Sequence, residues 1–98
     1  MEITLKKYTD TLLKLDEKFG GSIEANAFTI TFERHVNKST STLEPSIKIM
    51  TRIERANEVI RTVANKFAQD DYTKEFTSNG FIKIVTYIDD VHIDLTLA

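Results

Sequence analysis

The chain has 98 residues, of which 41% are hydrophobic and 29% charged, so it can bury one adequate core but not two, and residues 1–98 are expected to form a single domain. The absence of cysteine excludes disulfides, thiolate metal sites and thiol nucleophiles. No signal peptide and no apolar run long enough to span a bilayer is found in the sequence. Both observations favour a reducing cytoplasmic setting. The net charge of −2, with two Lys against six Asp and Glu in the last 29 residues, counts against nucleic acid, because phosphate binding needs a concentrated basic excess.

The first element is predicted to be an amphipathic helix. Its apolar residues recur at alternating steps of three and four: Leu5, Tyr8, Leu12, Leu15 and Phe19. Thr4 is suited to cap the start of this helix, and the pair Gly20-Gly21 is suited to end it in left-handed geometry.

A strand with one buried face is predicted from Asn26, because Phe28, Ile30 and Phe32 alternate with polar residues. The polar run 37–42 is expected to be a mobile connection. Residues 46–50 are predicted as a second strand, although a helix starting at 44–45 remains an alternative.

A second core helix is predicted from residue 52, because Thr51-Arg52-Ile53-Glu54 has the form of a capping box. Its apolar face is formed by Ile53, Ala56, Ile60, Val63 and Phe67, and Asp70-Asp71 ends the pattern.

The last third is predicted to be a meander of three strands over 72–77, 81–88 and 91–97. A three-residue Ser-Asn-Gly loop keeps the apolar face continuous and pairs Phe76 with Ile82. Across the turn Asp89-Asp90, Ile84 is expected to pair with Leu95.

These elements give the order α-β-β-α-β-β-β. The predicted fold class is α+β, a two-layer sandwich with two helices on one face of a largely antiparallel sheet. Leu12, Ile60, Val63, Ile84 and Leu95 are expected to be nearly inaccessible to solvent.

Residues suited to chemistry are few, since the chain has two histidines and no glycine-rich phosphate loop. Asp90, His92 and Asp94 share one face of the last strand, but side chains two apart on a strand stand about 7 Å from each other and seldom chelate one ion unaided. We therefore expect no catalytic residue, no bound metal and no cofactor, and rank a small metal-dependent enzyme third.

The leading hypothesis is a small non-enzymatic protein-binding module, an inhibitor or adaptor. It would use the sheet face away from the helices and the acidic C-terminal hairpin, with another protein or a second copy of the chain as partner. The Lys-, Ile-, Thr- and Asn-rich composition is compatible with a low-GC bacterial or phage gene. The candidate partner-binding residues are Phe81, Val85, Tyr87, Asp89, Asp90, His92 and Asp94.

The alternative hypothesis is a nucleic-acid-associated regulator that uses the first hairpin and its Ser/Thr loop. Basic residues gather in this part of the sequence, but no exposed aromatic residues are interleaved with them. The candidate residues are Arg34, His35, Lys38, Lys48 and Arg52.

Overall fold

The structure, a computed structural model, describes residues 3–52, 73–76 and 82–97. Helix α1 spans Leu5–Lys18, and the Thr4 hydroxyl accepts a hydrogen bond from the Lys7 amide at 3.2 Å. This confirms the predicted cap. The helix ends where Gly20 and Gly21 adopt positive φ angles of 64° and 81°, which glycine tolerates without steric cost.

A short helix that the sequence did not predict follows at once: α2 spans Ser22–Asn26 and begins after Gly21. Its residue Ile23 is buried and joins Leu15 and Phe19 of the preceding segment in the core. The left-handed turn at Gly20-Gly21 therefore redirects the chain so that the apolar stripe of α1 continues through α2.

Five strands form one mixed sheet in the order β1-β2-β5-β4-β3. They are β1 Ala27–Asn37, β2 Thr42–Thr51, β3 Thr73–Phe76, β4 Ile82–Ile88 and β5 Val91–Leu97. Three neighbouring pairs are antiparallel, whereas β2 and β5 are parallel. The α+β class is confirmed. The predicted antiparallel arrangement did not include the parallel pair at the centre of the sheet.

The register of the last hairpin is as predicted. Ile84 pairs with Leu95, and Phe76 pairs with Ile82 at the preceding connection. Asp89 and Asp90 form the two-residue turn with φ angles of 50° and 65°, the left-handed geometry that suits the twist of a hairpin.

The first hairpin differs from its prediction. The strand over 46–50 is confirmed and the alternative helix from 44 is wrong, but β2 already begins at Thr42. The connection is therefore a tight turn, in which the Ser41 amide donates to the Asn37 carbonyl at 2.7 Å. The polar residues 37–42 therefore form a turn with hydrogen bonds of its own, where the sequence predicted a mobile connection.

The core lies between α1, α2 and one face of the sheet. Its fully buried strand residues come from β2, β4 and β5: Ile47, Ile49, Ile84, Val91, Ile93 and Leu95. Leu12 is only partly buried, so its predicted inaccessibility is wrong, because it lies at the side of the helix stripe. The predicted helix from 52, with Ile60 and Val63, lies outside the described residues.

The predicted buried face of β1 is also wrong. Phe28, Ile30 and Phe32 remain 51%, 42% and 37% exposed. The reason is position: β1 is an edge strand, and α1 packs mainly against β2, the next strand in the sheet. At this edge, Tyr8 stacks its ring on Phe32 with a centroid distance of 4.9 Å. No helix in the described ranges has the length and apolar character needed to cross a bilayer.

Candidate binding site on the open sheet face

The face of the sheet opposite the core carries polar side chains on its central strands. Strand alternation places His92 and Asp94 of β5 on this face, because their neighbours Val91, Ile93 and Leu95 are buried in the core. Strand pairing brings residues of β1, β2 and β4 beside them. We call His35, Glu44, Ser46, Tyr87 and His92 the open-face cluster.

His92 lies at the centre of this cluster. The Ser46 hydroxyl and His92 Nδ1 are 2.8 Å apart, and the His35 ring stacks on the His92 ring at 4.1 Å between centroids and 11° between planes. The Tyr87 ring meets the His92 ring edge-on at 5.4 Å. Burial lowers the pKa of His92, and the neighbouring His35 lowers it further, although Glu44 and Asp94 act in the opposite direction.

Glu44 is the acceptor that ties the cluster together. The Tyr87 hydroxyl donates to Glu44 Oε1 at 2.5 Å, and His35 Nε2 lies 3.7 Å from the same oxygen. The Glu44 side chain is only 14% exposed. Burial, the hydrogen bond to Glu44 and the negative charge of Glu44 together raise the pKa of Tyr87 to about 12. Tyr87 therefore remains a neutral donor at neutral pH.

A cleft of about 430 Å³ opens beside Glu44, between the turn of the first hairpin and the turn after β4. Its lining residues offer two carboxylates, three hydroxyls and an amide, with a single apolar side chain. They are Asn37, Thr40, Thr42, Leu43, Glu44, Tyr87 and Asp90. None of them is a Lys or Arg. We name this feature the acidic cleft; its chemistry suits a cationic group with several N–H donors.

A second pair of charges lies further along the open face. Lys83 Nζ and Asp94 Oδ2 are 3.2 Å apart, and their side chains are 35% and 16% exposed. Asp94 Oδ1 is buried and finds no hydrogen-bond partner among the described residues. Lys83 thus balances the charge of Asp94 but satisfies only one of its oxygens.

The predicted partner-binding residues divide into three groups. Val85, Tyr87, His92 and Asp94 share the open face. Asp90 lines the acidic cleft, whereas Asp89 accepts a hydrogen bond from Lys14 of α1. Phe81 lies outside the described residues.

The predicted nucleic-acid residues do not form one surface. The pairing of Arg34 with Pro45 and of Thr31 with Lys48 puts Arg34 and Lys48 on opposite faces of the sheet. Arg52 lies over the Phe28 ring at 5.4 Å, and Lys38 is in the hairpin turn. His35 belongs instead to the open-face cluster.

The residues considered as metal ligands under the third-ranked hypothesis are also separated by their local geometry. His92 and Asp94 share a face, but Asp90 is a turn residue with positive φ that faces the acidic cleft. Within the described ranges, no three His, Asp or Glu side chains are grouped closely enough to hold a metal ion.

Sequence reasoning missed Glu44 and Ser46. Both lie on β2 and reach His92 only through the parallel β2–β5 pairing, in which Ser46 pairs with His92. The sequence does carry an indication of them, because Glu44, Ser46 and Lys48 alternate with other residues and so mark the polar face of a strand. Comparisons with protein families, curated proteins and solved structures found no match for this chain, so its function has to be inferred from the geometry of the site.

Proposed function

We propose that this protein is a non-enzymatic protein-binding module whose acidic cleft takes a basic side chain of the partner while Tyr87 packs against the surrounding surface. The observation that carries the proposal is the lining of the cleft: Glu44 and Asp90 supply two carboxylates beside a tyrosine that is 47% exposed. Half-exposed tyrosines next to desolvated charge are typical of the residues that dominate interface energies.

The cleft is already organised for binding. Glu44 is held by the Tyr87 hydroxyl and faces His35, so its carboxylate loses little freedom when a ligand arrives. Arginine fits this chemistry better than lysine, because its guanidinium group presents five N–H donors in a plane and the cleft offers acceptors on several sides. The acidic character also favours approach of a positively charged partner surface.

The Ser46–His92 contact supports binding more than catalysis. A serine and an imidazole 2.8 Å apart resemble a nucleophile and its base. Ser46 is only 3% exposed, however, so its hydroxyl is closed to a substrate. Its hydrogen bond orients the His92 ring, against which Tyr87 and His35 pack.

The chemical specificity of the cleft can be tested without knowing the partner. We would titrate acetyl-Gly-Arg-Gly-amide into isotope-labelled protein and follow backbone amide shifts by NMR. The expected result is a dissociation constant in the millimolar range, which corresponds to about 4 kcal/mol or less and requires charge-assisted hydrogen bonds to several of the acceptors, with shifts at Thr40, Thr42 and Asp90. The same peptide with citrulline, which keeps the shape but loses the charge, should bind at least several-fold more weakly.

Two variants locate the binding. Asp90→Asn should weaken the arginine peptide, and the matched variant Glu17→Gln, which removes an exposed carboxylate of α1 outside the cleft, should not. Equal shifts with arginine and citrulline, or equal loss in both variants, would contradict the proposal. For the natural partner, proteins captured from the host by the wild type but lost with Asp90→Lys and retained with Glu17→Lys are the expected ligands.

A further inference from the structure

The outer edge of β1 has no neighbouring strand in the described sheet. At 11 residues it is the longest of the five strands, and it contains neither proline nor lysine. Its only irregularity lies at Ala27–Thr29, near its start. Natural edge strands are usually protected by prolines, inward charges, bulges or covering segments, because their free N–H and C=O groups otherwise pair with another chain.

Apolar surface accompanies this edge. Ile30, Phe32 and Val36 lie on its helix side and are 42%, 37% and 54% exposed. Leu13 of α1 is 67% exposed. Between them lies a groove of about 230 Å³ lined by Leu12, Leu13, Asp16, Ile23, Glu24 and Ile30. Free backbone groups and exposed apolar side chains therefore occur together.

The sequence of β1 is self-complementary. When residues 29–35, the regular central part of β1, pair with a second copy in antiparallel orientation, Phe32 falls on the two-fold axis. Glu33 then faces Thr31 of the other copy and Arg34 faces Ile30, so no like charges oppose each other. Moving the axis to Glu33 sets glutamate against glutamate, and moving it to Arg34 sets arginine against arginine.

We infer that two copies of this chain associate through antiparallel pairing of their β1 strands, with Phe32 on the two-fold axis, to form one continuous ten-stranded sheet. This arrangement pairs Phe32 with its copy, and it brings Leu13 and the adjacent groove of each chain towards the interface. The Tyr8 hydroxyl already donates to the Glu33 carbonyl, which has a second lone pair for the partner strand. The acidic cleft takes no part, so this inference is independent of the proposed function.

Charge substitutions at Thr31 test the predicted pairing. Thr31 is exposed, and in the dimer it would face Glu33 of the other copy. Thr31→Lys should tighten the dimer and Thr31→Glu should weaken it, each by about two- to thirtyfold in dissociation constant, because each substitution occurs twice at a symmetric interface. Sedimentation measures the constants. Thr31 also lies opposite Lys48 of its own chain, so both substitutions could affect the fold. Thermal unfolding of the two variants is the control for this effect.

Single cysteines report the register, because the chain has none of its own. Residues directly opposite across antiparallel strands have Cα atoms about 4.5 to 5.5 Å apart, within the range of a disulfide. A mixture of Thr31→Cys and Glu33→Cys chains should therefore oxidise mainly to the mixed dimer. Ser39→Cys, in the hairpin turn, is the control.

The outcomes are distinct. Preferential mixed disulfides together with opposite shifts for Thr31→Lys and Thr31→Glu establish the dimer. A chain that sediments as a monomer at its highest soluble concentration overturns it, as does cross-linking no faster than that of Ser39→Cys. Homodimers formed by either cysteine variant in preference to the mixed dimer place the axis elsewhere and overturn the pairing centred on Phe32.

Discussion

The hydrogen bond between Tyr87 and Glu44 connects the site to the stability of the fold, and its contribution can be isolated by a double-mutant cycle. Tyr87→Phe removes the hydroxyl while keeping the ring, and Glu44→Gln removes the charge while keeping the shape. The two atoms lie 2.5 Å apart. Tyr87→Phe removes their hydrogen bond, whereas Glu44→Gln keeps an acceptor oxygen and removes only the contribution of its negative charge. Their effects should therefore be less than additive in the double variant.

The expected size follows from the burial of the two groups. A hydrogen bond to a charged group contributes about 1.5 to 3 kcal/mol to the free energy of unfolding. Tyr87 is 47% exposed, so water competes for its hydroxyl, and we expect a coupling of about 1 kcal/mol. Tyr87→Ala should cost about 2 kcal/mol in total, because roughly half of a ring worth about 1.5 to 3 kcal/mol is also lost from a buried environment.

Urea unfolding followed by circular dichroism at pH 7 measures the four free energies. A second reading comes from alkaline titration, since folding raises the pKa of Tyr87 from 10.0 to about 12. Stability from the protonated hydroxyl is present below pH 10 and is lost as pH rises to 12, so Tyr87→Phe should show a shallower decline in this window. A coupling of zero, or a Tyr87 pKa unchanged by Glu44→Gln, would refute the assignment of Glu44 as its acceptor.

Other predictions test the core, the histidine and the turns. Ile93→Ala should lower the free energy of urea unfolding by about 3 to 4 kcal/mol, whereas Leu13→Ala, at a side chain 67% exposed, should change it by less than about 0.5 kcal/mol. Because folding lowers the pKa of His92 from 6.5, thermal stability should be complete above that pH and fall on acidification, and His92→Gln should flatten this decline. Gly21→Ala should cost about 1 kcal/mol in unfolding measurements, since φ is 81° there. Asp90→Gly should preserve the hairpin and its melting temperature, and Asp90→Val should lower that temperature, because φ is 65°.

Local patterns predicted the elements whose partners are near in sequence. Helix α1, its Thr4 cap and the pairing of Ile84 with Leu95 follow from periodicity and from a two-residue turn that leaves one register. The parallel pairing of Ser46 with His92 joins residues 46 positions apart, and nothing in either strand's own sequence encodes its neighbour. Glu44 and Ser46 join Tyr87 and His92 in the open-face cluster through this pairing, and they were therefore not predicted.

The burial of a strand's apolar face was harder to predict from the sequence than the strand itself. The pattern around Ile30 correctly indicated a strand, but it did not show that this strand would lie at the edge of the sheet, where its apolar face is only partly covered. The same alternation is typical of a central strand, which is covered by the protein itself, and of an edge strand that takes part in an interface. Only the order of the strands in the sheet distinguishes the two cases.

The position of β5 constrains when the protein can fold. This strand is the last of the five to be synthesised, yet it lies in the middle of the sheet, between β2 and β4. Until it leaves the ribosome, the first hairpin has no partner for the inner edge of β2, and Ile47 and Ile49 have no sheet neighbour on that side. Folding of the sheet therefore waits for β5 and is expected to be slow for a domain of this size, since the central pairing closes a long stretch of chain. Until β5 pairs, the first hairpin exposes apolar side chains and an unpaired strand edge, which makes the partly folded chain prone to aggregate.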